Sequence, residues 1–380
     1  MTDSTNLLDS RESGNDNSVT EFNWFTIFAK ILLMKPRIGI LGATGYTGSV
    51  LTKLLMGHPG VEISYLSSEQ HAGKYFYDVY PNFFERINLK LKPVDLKDIA
   101  SSCDVVFCAT PNGFACDFVP KLLNKNNNIK VIDLSADFRL EKSIKFPKKQ
   151  DLKIVYGLPE IHRAEIKTAN IIANPGCYPT SAILALAPVI KNKIIDLNSI
   201  IIDSKSGVSG AGKQLKQELQ FCEINESFAP YNLAGKHRHI PEIELQLRKL
   251  SGFAEKFNVI FSPHLLPVTR GILSTIYVNL IGPWRKKLAQ NDVYQLYKNY
   301  FKNEYFVKVL PENIYANTKN VKHTNFCHIT PIKDERTNRL ILISAIDNMV
   351  KGASGQAVQN MNIILSLKEE VGLDSAGEIP

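Results

Sequence analysis

One cysteine sits in the turn Asn174-Pro175-Gly176-Cys177-Tyr178-Pro179, between the apolar run Ile171-Ile172-Ala173 and a stretch, Thr180 to Ile190, that reads as a helix. At a helix start the unpaired backbone N–H groups and the positive dipole end favour a thiolate, and a thiolate is a nucleophile. An isolated cysteine is also a good small core residue, so the turn alone leaves both readings open. Gly176 and the two prolines argue for a shaped turn. A second concentration of chemistry is Gly235-Lys236-His237-Arg238-His239-Ile240-Pro241-Glu242, ahead of an amphipathic segment from Ile243 to Leu250. Two histidines, a lysine and an arginine form a dense cationic spot. Histidine titrates near neutrality, so one of the pair suits general acid–base work with Glu242 orienting it. His-x-His spacing also suits a metal, but no third ligand of the usual type lies nearby and no metal is expected.

These groups need a scaffold and a co-reactant. Arg37-Ile38-Gly39-Ile40-Leu41 reads as a buried parallel strand running into Gly42-Ala43-Thr44-Gly45-Tyr46-Thr47-Gly48, with a helix from about Ser49 to Met56. Strand, glycine turn and helix are the context of a dinucleotide-binding loop. Gly42 permits the tight turn, Gly45 lets backbone approach a pyrophosphate, Gly48 lets helix pack on strand, and the phosphates rest on the helix N-terminus beside Thr44, Tyr46 and Thr47. The second strand, Glu62 to Leu66, ends in Ser67-Ser68, where an NAD-selective site carries an acid. Hydroxyls there suit a 2′-phosphate, so NADP(H) is the expected cofactor. A third strand, Asp104 to Ala109, ends in Thr110-Pro111-Asn112-Gly113, facing the cofactor. A fourth, Lys130 to Leu134, leads to Arg139, which either holds an anion at the sheet edge or makes a surface ion pair. The βα repeats predict a Rossmann-type doubly wound parallel sheet.

After the Cys177 helix the pattern changes to longer strands: Ser199 to Ser204, Phe257 to Pro267 paired with Gly271 to Leu280, Val307 to Leu310, and Leu340 to Ile346. They predict an α+β catalytic and oligomerisation domain with a mainly antiparallel sheet. Ser206-Gly207-Val208-Ser209-Gly210-Ala211-Gly212-Lys213 lacks the G-K-[ST] ending of a P-loop and is expected to touch substrate through Lys213; Arg270 is expected at the site as well. The domains are then residues 34–176 for NADP, 177–350 for catalysis, and a C-terminal helix over 351–372 that returns to the first domain. Residues 1–33 form an extension, disordered or lying before the true start, and its apolar part, Asn23 to Met34, is too short to span a bilayer. Net charge is +8 over 380 residues, without a dense Lys/Arg run, so neither nucleic acid nor membrane is an expected partner. Six cysteines without C-x-x-C spacing indicate a reducing, cytoplasmic setting.

The glycine loop, the Asn174-to-Thr180 turn, Gly235 to Glu242, His264-Leu265-Leu266-Pro267-Val268-Thr269-Arg270-Gly271, and Lys351-Gly352-Ala353-Ser354-Gly355-Gln356-Ala357 occur in that order. Together they resemble the N-acetyl-γ-glutamyl-phosphate reductases of the aspartate-semialdehyde dehydrogenase superfamily, over about Met34 to Gly372. The resemblance implies NADPH-dependent reduction of N-acetyl-glutamyl 5-phosphate to the 5-semialdehyde, a step of arginine biosynthesis. It implies Cys177 as nucleophile and His239 as acid–base with Glu242 as partner. By the same resemblance His237, Arg238 and Arg139 are expected by the substrate, and Asn348 and Gly352 are expected at the cofactor. It also implies a homodimer or homotetramer. Aspartyl phosphate or a carrier-bound aminoadipyl phosphate would use the same cysteine chemistry, and a non-catalytic NADP-binding regulator is the reading from another class.

Overall fold

Six short parallel strands in the order 2-1-3-4-6-5 build the first sheet: β1 (Arg37–Leu41), β2 (Glu62–Leu66), β3 (Val105–Cys108), β4 (Lys130–Asp133), β5 (Ile154–Tyr156) and β6 (Ile171–Ala173). The computed structural model describes residues 35–140, 152–252 and 256–377; the expected extension 1–33 lies outside them. Strand order reverses at β1, so the carboxyl ends of β1 and β3 open a crevice where ligands bind in such sheets. β5 is not among the strands expected from the sequence. With only three residues, it is too short to show a strand's alternation.

Seven strands form the second sheet, ordered 11-12-13-10-7-9-8: β7 (Ile201–Gly207), β8 (Ala229–Pro230), β9 (Ile260–Leu266), β10 (Ile272–Asn279), β11 (Val307–Val309), β12 (Cys327–Asp334) and β13 (Arg339–Ile346). Its pairs are antiparallel except β7 with β9 and β11 with β12. The expected β9–β10 pair does not form, because β7 lies between them. β12 was not anticipated from sequence.

Helix α1 (Tyr46–Met56) follows the glycine loop, α2 (Phe114–Lys125) follows β3, and α3 (Pro159–Ile166) follows β5. Helix α4 (Cys177–Lys191) leaves β6 and lies against the second sheet; every residue from Tyr178 to Ile190 is buried. Each fully buried Leu or Ile contributes roughly 1.5–3 kcal/mol, so its position is dictated by its whole length. Ser181 of α4 bonds the hydroxyls of Ser274 and Ser344 on β10 and β13, small side chains that let helix approach sheet. Helices α5 (Ile240–Ser251) and α6 (Gln290–Tyr300) pack into the same core. The last helix, α7 (Gly355–Ile364), is buried from Gly355 to Ile363 and packs back on α1, α3 and β4. A π-helical turn, Val350–Ser354, precedes it; such turns cluster at functional sites.

Candidate active site

Three chain reversals converge where β6 hands over to α4. Gly176 is the N-cap of α4 and Cys177 its first residue. Gly352, in the π-turn, packs on the cysteine: a Cβ there would stand 2.8 Å from the Cys177 Cβ. This glycine was expected at the cofactor; its tight seat is the cysteine. Gly176 in turn is roofed by His239. A Cβ at 176 would lie 2.6 Å from His239 Nε2 and 2.9 Å from Arg139 Nη1. The histidine is held there as N-cap of α5, and its Nδ1 is buried with no hydrogen-bond partner among the described residues.

Glu242 does not orient His239, contrary to the sequence expectation. Its Oε1 accepts from Tyr156 Oη at 2.8 Å and from the Gly176 N–H at 2.9 Å, and its Oε2 from Arg139 Nη1 at 3.2 Å. The residue lies in the first turn of α5, one turn on from His239, so it projects across to the first sheet instead of back along its own helix. Arg139, expected at the substrate, also donates to the Asn174 carbonyl and the Leu134 carbonyl, both at 2.8 Å. Its side chain is 6% exposed and that of Glu242 3%, so the pair is a buried brace behind the cysteine turn. Asn174 completes the brace, donating to the Ala353 carbonyl and accepting from Asn360 of α7.

Electrostatics follow from this packing. Burial pushes the Cys177 thiol above its usual value, while the Tyr178 N–H, Arg139 and Arg238 pull the other way. The resting sulfur is therefore a thiol, not the thiolate expected from the helix start alone. Burial, with Arg139, His237 and Arg238 adding to it, holds His239 well below the ordinary histidine range. Burial and Arg238 bring His237 to about 4. Its Nδ1 accepts the His239 backbone N–H at 3.1 Å, which puts the proton on Nε2. Arg238 is exposed and, among the described residues, has no ion-pair partner. The site thus pairs a thiol with neutral imidazoles under a free guanidinium.

The glycine loop fits an anionic dinucleotide. Gly42 has φ +77°, and a Cβ there would meet the Ala109 carbonyl at 2.5 Å; one on Gly48 would meet the Gly42 carbonyl at 2.2 Å. At Gly45 the nearest atom is 3.5 Å away, leaving open the approach that phosphate needs. Helix α1 has no side-chain cap and no acid in its first turn, and the Thr110 hydroxyl is buried without a partner among the described residues. Tyr46 flanks the loop half-exposed and Pro111 stands exposed beyond Thr110. Ser354 donates to the Thr47 carbonyl, tying the loop to the π-turn. Ser67 corrects the sequence reading: its hydroxyl accepts the Gly42 N–H at 3.1 Å and shapes the loop instead of facing a 2′-phosphate. Ser68 shares a 2.8 Å hydrogen bond with Thr44. Asn348, expected at the cofactor, spends its amide on Ser209 and the Gly271 N–H.

Lys213 and Arg270 line a cavity of about 410 Å³ with Tyr46, Ser49, Val50 and Met349. Arg270 faces Asp347 at 3.5 Å. Lys213 reaches the Thr44 carbonyl at 3.4 Å and Tyr80 Oη at 3.3 Å, so it lies at the glycine loop and not by the cysteine. Tyr80, Tyr156 and Asn360 carry no sequence signal of their role, since each acts through a contact with a distant segment.

A parallel dinucleotide sheet, a second mixed sheet and a cysteine at their junction define a semialdehyde dehydrogenase. Residues 37–169 match the family model described as semialdehyde dehydrogenase, NAD binding domain, and residues 177–348 the one described as semialdehyde dehydrogenase, dimerisation domain. Aspartate semialdehyde dehydrogenase II of Vibrio cholerae shares the fold at TM-score 0.67 and 17% identity, over 88% of this chain and 99% of that one. The enzyme of Candida albicans, solved with NADP, gives 0.65 and 16%, over 89% and 99%. Within that class the chain belongs to the N-acetyl-γ-glutamyl-phosphate reductase family. It is 48% identical to the member from Pseudothermotoga lettingae over 90% of this chain and 98% of that one, and 50% identical to the member from Thermoanaerobacter pseudethanolicus over 89% and 98%.

Proposed function

We propose that this chain reduces N-acetyl-L-glutamyl 5-phosphate with NADPH, yielding N-acetyl-L-glutamate 5-semialdehyde and phosphate, in arginine biosynthesis. The observation that carries the reading is the seat of the neutral His239 imidazole on Gly176, next in chain to Cys177, in a chain this close to reductases of that name.

His239, unprotonated at rest, accepts the Cys177 thiol proton. The sulfur attacks the acyl carbon, the C–O bond to phosphate breaks with its electron pair leaving on phosphate, and Cys177 holds the acyl group as a thioester. NADPH, when bound, supplies hydride to the thioester carbon. The His239 imidazolium returns its proton to the oxygen that becomes negative, while N–H groups in the first turn of α4 stabilise that charge. His239 then takes the hydroxyl proton back as the C–S bond breaks, and returns it to the departing sulfur. Arg238 meets the anionic groups of the substrate, and His237 offers a neutral Nε2–H donor. Arg139 and Glu242 hold the turn.

Purified chain given N-acetylglutamate semialdehyde, NADP⁺ and phosphate produces NADPH absorbance, and omission of phosphate stops it. Faster turnover of aspartate semialdehyde under the same conditions would refute the assignment. Use of NADPH and of a free thiol nucleophile supports a reducing, cytoplasmic setting for the reaction. A homodimer or homotetramer is expected from the dimerisation description of residues 177–348, with the half-buried Leu273, Tyr277, Ile341 and Ile343 on one face of the second sheet. Sedimentation of the purified chain measures it.

A further inference from the structure

We infer that Lys213 is a cofactor residue: its ammonium holds the diphosphate of the dinucleotide against the glycine loop, so that a loop of the catalytic half completes the cofactor site. The inference rests on NADPH being the cofactor.

The path of the loop is fixed. Gly207, Val208 and Ser209 donate backbone N–H groups to Gly271, Val268 and Thr269, and the Ser209 hydroxyl is held by Asn348. A short turn, Val208–Ala211, and Gly212 at φ +82° then swing Lys213 toward the first sheet. Its ammonium ends on neutral oxygens only, the Thr44 carbonyl at 3.4 Å and Tyr80 Oη at 3.3 Å, with the Tyr80 ring 5.0 Å away. That carbonyl already accepts the Tyr80 hydroxyl at 2.8 Å, so the lysine is a second, longer donor to a satisfied acceptor. Among the described residues no carboxylate pairs with it. An ammonium gains far more from an anionic oxygen than from a carbonyl.

The anion belongs on the same loop. Gly45 is open on its outer side, α1 begins without a side-chain cap or an acid, and the Thr110 hydroxyl is buried and, among the described residues, unpartnered. The diphosphate, not the 2′-phosphate, is the group within reach. The cavity that Lys213 lines takes in Tyr46, Ser49, Val50, Arg270 and Met349, and neither Ser67 nor Ser68 lines it.

Titration of NADPH and NADH by cofactor fluorescence, on wild-type, Lys213→Met and Lys213→Arg chains, separates the outcomes. Lys213→Met weakens both cofactors to the same extent, on the order of tenfold, Lys213→Arg restores binding, and KM for the acyl phosphate at saturating NADPH stays unchanged. Unaltered NADPH binding in Lys213→Met overturns the inference. So does weakening confined to NADPH, which would move the contact to the 2′-phosphate, or a raised KM for the acyl phosphate alone. Wild-type chain that binds no NADPH overturns the cofactor reading itself, and the inference with it.

Discussion

The His239 imidazole rests directly on Gly176, with Nε2 2.6 Å from the point a Cβ would occupy. The glycine has φ −69° and ψ 156°, a conformation open to any residue, so its smallness serves the histidine and not the backbone. This contact fixes the base beside the nucleophile without a hydrogen bond between side chains.

Gly176→Ala therefore tests geometry with little backbone strain. The methyl must displace His239 Nε2 and Arg139 Nη1, both packed against it. We expect kcat to fall by about 10²–10³, within the range of acid–base catalysis, and the thermal midpoint to drop by the cost of overpacking, about 1–3 kcal/mol, while NADPH titration changes little. Wild-type kcat in this variant would mean that the imidazole seat is not needed.

The two perturbed groups set a pH profile. His239 works as a base only when neutral, and its pKa is lowered by burial and the neighbouring cations. The acid limb of kcat/KM is therefore expected below the ordinary histidine value of about 6.5. In His239→Asn the thiol must ionise unaided. Because burial raises it above 9.0, the residual rate, roughly 10²–10⁴ lower at neutral pH, climbs with pH to beyond that value. A flat profile in the variant would assign the proton transfer elsewhere.

Much of this was readable along the chain, and the failures share a cause. Gly42, Gly48 and the Cys177 helix follow from local rules: a positive φ, a close helix–strand approach, a strand-to-helix turn. Glu242 was misread because spacing suggested a partner three residues back, whereas its carboxylate is claimed by Arg139, 103 residues earlier, and by Tyr156, 86 residues earlier. Ser67 was misread because nothing local says that its hydroxyl turns inward to Gly42. The thiolate expectation weighed the helix dipole but not the desolvation that only packing reveals. β9 and β10 looked like a hairpin because sequential strands usually pair; β7, whose Ile201 pairs with Ile260 of β9, intervenes.

Cys177→Ala separates binding from chemistry. The glycine loop and the cysteine lie on different elements, so NADPH titration should match wild type while turnover falls to background. In the intact chain, the exposed Arg238 beside the half-buried thiol favours an anionic reagent. Iodoacetate is expected to inactivate faster than iodoacetamide at equal concentration, and this preference should vanish in Arg238→Ala. Equal rates in the wild type would remove Arg238 from the anion site.

Glu242 is the residue whose role the structure changes most. If it oriented His239, its loss would add nothing once the histidine is gone. The observed bonds run instead to Arg139, Tyr156 and the Gly176 N–H, so Glu242 acts on the cysteine turn itself. Removing one partner of a buried ion pair costs about 3–5 kcal/mol, against about 1 kcal/mol for one neutral hydrogen bond. Glu242→Gln should lower the thermal midpoint well beyond Tyr156→Phe, and both should reduce kcat. His239→Asn, by contrast, should lower kcat with the midpoint nearly kept. The decisive measurement is the double variant. Because Glu242 and His239 reach the cysteine turn by different contacts, Glu242→Gln should slow the His239→Asn chain further, though by less than the product of the two losses, since both residues touch Gly176. A double variant no slower than His239→Asn alone would return Glu242 to the histidine.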